Sequence, residues 1–242
     1  MNIFLTLLFA FMLLGTASVA RAAESNDVEA RLAKQLGLKL SDVTPAPIPG
    51  VYRIIVGPQV AYVSADGRYL IRGDIINLQS GDNLTVVQRA EARLAYLKQL
   101  DPVDMIVFAP PHPKHTITVL TDIDCDYCRV LERDRPKLNA MGIAVQYLFF
   151  PRDGAGSASW QKAVEVWCAK DRKAAFEAAM SGTAVKSAKC NDAAVTAGYQ
   201  FGQLLGLDGT PAIITDRGRL IDGYLPPREL ASVLDIASSP AQ

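Results

Sequence analysis

The sequence predicts a small α+β unit followed by an α/β domain that carries a helical insert. Three observations predict it. Short β-rich runs broken by turn residues fill the chain up to about residue 80. Further on, Thr116 to Phe150 reads as a strand, a helix and a strand in direct succession, the pattern of a parallel βαβ unit with a right-handed crossover. Residues 156 to 206 are then Ala-rich and helical in several pieces. A length of 242 residues allows one large domain or two modest ones. With 50% hydrophobic and 21% charged residues, disorder and collagen are excluded. Lys+Arg number 25 against Asp+Glu 25 with no basic run, so the chain carries no footprint for nucleic acid or an anionic membrane.

The first apolar run, Ile3 to Leu14, has the length of a signal-peptide core and falls short of the ~20 residues that a membrane span needs. Small residues follow it (Gly15, Ala17, Ser18, Ala20, Ala22), so residues 1–22 read as an export signal cleaved after Ala20 or Ala22. An uncleaved anchor is the competing reading, because only the chain's own amino group supplies positive charge ahead of the run. Cleavage after Ala22 removes Arg21 and leaves 24 basic against 25 acidic residues, a net charge of about −1.

Residues 23–80 form the first domain. Val28, Leu32 and Leu36 recur at helical spacing before Gly37 ends the run. Val43 to Gly50, with three prolines, is an extended edge segment that turns at Pro49 and Gly50. Val51 to Val56, Val60 to Val63 and Tyr69 to Arg72 are strands, and Asp66-Gly67 is the strongest short hairpin signal in the chain. Residues 81–101 then give one helix, Asn83 to Leu100, with cap chemistry from Ser80, Gly81 and Asp82. We read it as a solvated link between two domains; a helix packed wholly on one of them is the alternative.

Residues 102–242 form the second domain. Arg129 to Met141 is its crossover helix, which Pro136 should kink or shorten. Ala212 to Thr215 and Leu220 to Tyr224 bracket a turn at Asp216 to Gly218, and Arg228 to Ile236 closes with a helix.

Export decides how the four cysteines read. In an oxidising compartment they mean disulfides, with three possible connectivities. Cys125-Asp126-Tyr127-Cys128 follows the first strand of the βαβ unit and opens its helix. At a helix N-terminus, unpaired NH groups and the macrodipole favour an anion, so the Cys125 thiolate is stabilised and fit to attack and leave in disulfide exchange. Cys128, one turn inward, is placed to resolve the mixed disulfide. Two other readings compete: half of a zinc site completed from Cys168, Cys190, His112 or His115, and an inert structural disulfide. The zinc reading lacks a second close pair, and the inert bridge leaves the strand-to-helix placement without a reason. A bridge between Cys168 and Cys190 would be worth ~3 kcal/mol by constraining the unfolded chain; two free thiols are the alternative. Thr210-Pro211 would be trans on base rates for X-Pro bonds. His112 and His115, just ahead of the strand, are candidates for tuning Cys125, although histidines at strand ends more commonly have no such role. Tyr127 is a substrate-facing or packing aromatic, because its phenol titrates far above neutral.

Thr121-Asp122-Ile123-Asp124-Cys125-Asp126-Tyr127-Cys128, Phe150-Pro151-Arg152, Trp167-Cys168-Ala169-Lys170-Asp171 and Gly209-Thr210-Pro211-Ala212 resemble, in this order, the DsbC/DsbG family of periplasmic disulfide isomerases. Pro45-Ala46-Pro47 and Gly223-Tyr224-Leu225-Pro226-Pro227 extend the resemblance over nearly the whole mature chain. The resemblance implies a V-shaped homodimer in the periplasm: an N-terminal dimerisation domain, a linker helix and a thioredoxin-like catalytic domain. It implies Cys125 as nucleophile, Cys128 as resolving thiol, a structural disulfide between Cys168 and Cys190, and a cis-proline loop at Thr210-Pro211. No cofactor and no metal is implied. The partners implied are misoxidised secreted proteins as substrates and the membrane reductase DsbD as electron donor, with some chaperone-like binding of unfolded chains. The departure lies inside the motif, where Asp124 and Asp126 replace the family's Thr and Gly. A carboxylate beside the thiolate disfavours its charged form, so Asp126 is expected to raise the Cys125 pKa.

Three functions follow from these residues. The leading one is an exported disulfide isomerase and reductase acting through Cys125 and Cys128. A dithiol oxidase that donates disulfides is the second, and a non-enzymatic chaperone with purely structural disulfides the third.

Overall fold

A computed structural model describes residues 27–100, 104–186 and 190–238. The export-signal reading of residues 1–22 lies outside the described residues. The chain divides into two units, one up to Val86 and one from Val87 on.

In the first unit, helix α1 (residues 27–36) precedes four antiparallel strands, β1 (Val43–Pro45), β2 (Val51–Val56), β3 (Gln59–Ser64) and β4 (Leu70–Ile71), in the order β1-β2-β3-β4. Prolines end β1, which suits an edge strand because Pro has no NH to give to a ladder. Alternation along β2 buries Tyr52 and Ile54, which pack with Val43, Val63 and the Leu32–Ala33 face of α1. The two-residue hairpin joins β2 to β3, with Val56 paired to Gln59 across Gly57-Pro58. The Asp66-Gly67 signal marks a wider turn, where Ser64 N donates to Tyr69 O.

Helix α2 (Leu84–Leu97) starts at Asn83, whose Oδ1 accepts from the backbone N of Thr85 and Val86, both at 3.1 Å. The cap therefore lies one residue beyond the Ser80–Asp82 turn read from the sequence. From Val87 on this helix belongs to the second unit. It is not solvated throughout: Ala92 is buried, Tyr96 stacks on Phe201 at 5.0 Å, and Arg93 Nη1 donates to Gly218 O at 3.0 Å. Gly218 holds φ +77°, and a Cβ there would collide with the Ala90 backbone, so glycine is what lets the helix approach.

The second unit carries a five-stranded sheet of order β5-β7-β6-β8-β9, built from β5 (Ile106–Phe108), β6 (His115–Thr121), β7 (Ile143–Phe149), β8 (Ala212–Ile214) and β9 (Leu220–Asp222). Only β6 and β7 run parallel, and helix α3 (Asp126–Ala140) crosses between them. The insert supplies α4 (Ala158–Trp167), α5 (Arg172–Met180) and α6 (Ala193–Leu205), and α7 (Pro227–Ser238) closes the chain. Residues alternate between two cores. Ile117, Val119, Val145, Tyr147 and Phe149 face Leu131, Leu138, Phe176, Leu230 and Leu234 on one side. Leu120, Leu148 and Phe150 join Phe201, Leu205 and the Tyr96–Leu100 end of α2 and the turn after it on the other. Helix α6 lies close on the end of β7, because Gly202 leaves room for the Phe150 ring.

Pro136 neither ends nor shortens α3, which runs on to Ala140. Leu131 and Leu138, buried on either side of the proline, hold the helix on the sheet despite the missing NH. The apolar run by itself marks this helix only from Arg129, but the motif reading that puts Cys125 at the helix start agrees with the observed N-cap; β5 was passed over altogether.

Candidate active site

The C-terminal end of β6 leads directly into the site. Cys125 is the N-cap of α3, and its Sγ accepts from Cys128 N at 3.4 Å. The segment ahead of it is tied down by Asp122, a buried carboxylate: Oδ1 accepts from Asp124 N at 2.8 Å, while Oδ2 accepts from Arg152 N at 2.9 Å and Arg152 Nε at 3.1 Å. Asp122 O also accepts from Cys125 N at 3.2 Å. One side chain thus joins the approach to the helix with the loop after β7, and it carries a guanidinium toward the cysteines.

Across from the helix start, the Thr210–Pro211 peptide bond is cis. The Cys125 thiol donates to Thr210 O at 3.2 Å, and the buried Thr210 hydroxyl has no partner at ordinary hydrogen-bond distance among the described residues, which leaves it available to a thiolate. Base rates alone give trans for this bond, so only the resemblance pointed to the observed geometry.

The two thiols differ sharply in their electrostatics. Cys125 is lowered from 9.0 to about 5, first by a hydrogen bond from Cys128, against the cost of burial, and further by Thr210, the Cys128 NH and the charge of Arg152. Cys128, 1% exposed, is pushed well above the ordinary thiol range by burial and by the bond it gives to Cys125. At neutral pH the pair therefore holds one thiolate and one thiol, and the charge sits on the sulfur nearer the helix end.

The two acidic residues of the motif occupy different surroundings. The Asp124 carboxylate takes Lys162 Nζ at 2.6 and 2.9 Å and Arg129 at 3.4 Å, so its charge is compensated locally. Asp126 is exposed and has no ion-pair partner among the described residues. Tyr127, 65% exposed, points its ring into solvent, which leaves the substrate-facing reading and removes the packing one. His115 does not approach Cys125. It begins β6, a strand of seven residues whose other end leads to the cysteine, roughly 20 Å away. Its Nδ1 lies 2.7 Å from Asp216 Oδ2 and its Nε2 3.5 Å from Asp235 Oδ1. His112 lies exposed in the loop before it. Cys168 and Cys190 form a disulfide with Cα atoms 5.5 Å apart, which takes both away from any zinc site.

Sequence reasoning missed the cations that gather here. Arg152 and Lys162 come from 30 and 38 residues along the chain from Asp122 and Asp124, and no local pattern links them. It also missed a buried group on the inner face of α3: Glu132, which accepts from Tyr147 Oη at 2.6 Å and Arg135 Nε at 2.7 Å.

Comparison with known proteins agrees with this geometry. Residues 18–86 match the disulfide bond isomerase protein N-terminal domain, and residues 102–238 match the thioredoxin-like domain. The thiol:disulfide interchange protein DsbC of Escherichia coli K12 is 37% identical over 227 residues, covering 93% of each chain. DsbC of Dickeya dadantii is 37% identical over 94% of this chain and 93% of its own. Among solved structures, a disulfide interchange protein from Neisseria gonorrhoeae superposes with a TM-score of 0.51 at 25% identity, covering 58% of this chain and all of its own. Two domain matches in the right order, near-complete coverage and a Cys-x-x-Cys pair at the start of α3 place the chain in the DsbC family of thiol:disulfide interchange proteins.

Proposed function

We propose that this protein is a periplasmic disulfide isomerase and reductase that rearranges wrong disulfides in secreted proteins, with Cys125 as nucleophile and Cys128 as resolving thiol. The observation that carries the reading is the split within the pair, an ionised Cys125 at about 5 beside a protonated, buried Cys128. The Cys125 thiolate attacks a substrate disulfide; one substrate sulfur bonds to Cys125 and the other leaves as a thiolate. If that thiolate opens a second substrate disulfide, and the sulfur displaced there attacks the substrate sulfur bonded to Cys125, the mixed disulfide breaks: the substrate leaves with its bonds rearranged and Cys125 leaves as the thiolate it was. If Cys128 attacks Cys125 instead, the substrate gains two electrons and the pair is left oxidised. The membrane reductase DsbD then returns the electrons.

Thr210 and Pro211 form the loop that lies against the Cys125 sulfur, and Asp126 and Tyr127 face the incoming chain. The Cys168–Cys190 bridge is structural, closing a loop of the insert away from the reaction. Residues 23–80 act as the dimerisation domain and 81–101 as the linker helix. Two features support pairing through the first domain. It is small, with little buried surface of its own, and Leu70, Ile71, Ile76 and Leu78 stand exposed at and beyond its last strand. The leader read in residues 1–22 supports export.

The test is thiol chemistry in the intact protein. Cys125→Ser abolishes isomerase activity, and Cys128→Ser accumulates mixed disulfides with substrates on Cys125. Trapping the thiols of freshly extracted protein finds the pair mostly reduced. A mostly oxidised pair would overturn the isomerase reading in favour of a dithiol oxidase.

A further inference from the structure

Resolution of the mixed disulfide poses a chemical problem that the site as described does not solve. Once Cys125 is bonded to substrate, Cys128 must lose a proton before it attacks, yet it is 1% exposed in an apolar cluster with Leu131, Leu138 and Phe149. A thiol buried this deeply gives up its proton to bulk water reluctantly, because the cost of burial outweighs the help of the Thr121 side chain and the Asp122 backbone beside it.

Glu132 lies one helical turn beyond Cys128, at the i+4 position that shares its face of α3. It is 7% exposed and is held by Tyr147 Oη at 2.6 Å and Arg135 Nε at 2.7 Å, while Arg135 Nη2 reaches Glu177 Oε1 of α5 at 2.5 Å. Burial is the largest influence on this carboxyl and lifts it above the ordinary range, although Tyr147 and Arg135 both pull the other way and Glu177 adds to the rise. Tyr147 responds to the charges of both Glu132 and Cys128, so the phenol, the carboxylate and the thiol belong to one electrostatic cluster. None of these groups except Cys128 has a part in the exchange chemistry described above.

A second observation opens this cluster to solvent. Between α3 and α5 lies a cavity lined by Asp126, Arg129, Glu132, Arg133, Glu177 and Met180. It gives Glu132 a route to water through the insert.

We propose that Glu132 is the proton acceptor for Cys128 during resolution of the mixed disulfide and exchanges that proton with solvent through the α3–α5 cavity. The inference rests on the isomerase reading above. The step balances: the Cys128 thiol gives its proton to the Glu132 carboxylate, the Cys128 thiolate bonds to Cys125 Sγ, and the Cys125–substrate bond breaks. The substrate sulfur leaves with the electron pair and is protonated from water, while Glu132 releases its proton through the cavity. Arg135 and Tyr147 keep the carboxylate oriented and favour its charged form, Glu177 opposes it, and Asp126, Arg129 and Arg133 are the other charged groups that share the cavity.

The two steps separate in single-turnover experiments with a disulfide-linked model peptide. Attack by Cys125 is read in a Cys128→Ala background, and escape of the peptide from the mixed disulfide is read with Cys128 present. Glu132→Gln leaves the attack rate within about twofold, slows escape about tenfold at neutral pH, and removes the inflection that the carboxylate gives to the pH profile of escape. Tyr147→Phe removes the hydrogen bond that lowers Glu132, so the inflection in the escape rate moves to higher pH. It keeps the carboxylate and serves as the independent variant if Glu132→Gln folds poorly. Escape profiles of both variants that superimpose on the parent would overturn the assignment while leaving the isomerase intact. Failure to form any mixed disulfide on Cys125 would instead overturn the isomerase reading itself.

Discussion

The lowered pKa of Cys125 has a consequence for stability that is measurable without any substrate. In the reduced, folded protein Cys125 is ionised above about 5, whereas in the unfolded chain it titrates near the ordinary thiol value of about 8.5. A depressed folded-state pKa contributes stability that is complete above the unfolded value and is lost as pH falls through the folded one. Cys128 is raised, so it keeps its proton in both states across that window and does not enter the balance. The unfolded chain then binds one more proton than the folded one, and stability rises by ~1.4 kcal/mol per pH unit, or about 3 kcal/mol from about pH 5.5 to 7.5. Urea unfolding of the reduced protein, followed by the fluorescence of Trp160 and Trp167, measures this when the same series on Cys125→Ser is subtracted. The subtraction removes carboxylates such as Asp134, which is itself lowered by Lys137 and Tyr224. A difference between the two proteins that stays flat across this range would refute the argument, because it would mean that the fold does not favour the thiolate.

Three further outcomes are expected. Asp126→Gly lowers the Cys125 pKa by a few tenths of a unit in low salt and by less in high salt, because an exposed carboxylate acts through solvent; titration of the thiolate absorbance near 240 nm checks it, and a rise would count against it. Replacing Cys168 and Cys190 together with alanine costs ~3 kcal/mol in urea unfolding, the entropy of a 22-residue closure, without changing the reactivity of Cys125. A fragment starting at Val87 is monomeric by sedimentation, reduces small disulfides and isomerises poorly, whereas one starting at residue 101 is less stable by about 2 kcal/mol because it loses the Tyr96–Phe201 stack and its burial.

The parts of the fold that were legible are those with strong local pattern. Ile143 to Phe150 could only be a buried strand, and the Cys-x-x-Cys pair between it and the β-branched run before it set the βαβ unit. Strand β5 escaped because Ile106–Phe108 is too short to show a period, and it exists through its pairing with β7. The apolar run showed α3 only from Arg129, because Asp126 and Tyr127 are exposed and add nothing to a stripe; it was the Cys-x-x-Cys pair that marked the true start, where the thiol of Cys125 does the capping that Ser or Asp usually does. Proline's penalty in α3 was overruled by tertiary packing. In the site, the pair of cysteines was legible and its electrostatic surroundings were not. Lys162, Arg152 and Glu132 matter through contacts across the fold, and charged residues of this kind look in sequence like any solvated helix face or loop.

The close seat of α6 on the end of β7 bears on how a mutational survey of this protein would look. Gly202 touches no cysteine, yet a methyl group there would push on the Phe150 ring. Phe150 N is bonded to Thr121 O at 2.7 Å, and Arg152, two residues further on, is the cation that Asp122 holds toward Cys125. A displacement begun in the helical insert would therefore reach the reactive sulfur as a change in its surrounding charge. Scored by activity alone, Gly202 would be grouped with the residues that handle substrate; scored by unfolding, it would be grouped with the core. Its role is to set the height of a loop, which makes the insert a tuning element for a thiolate it never meets.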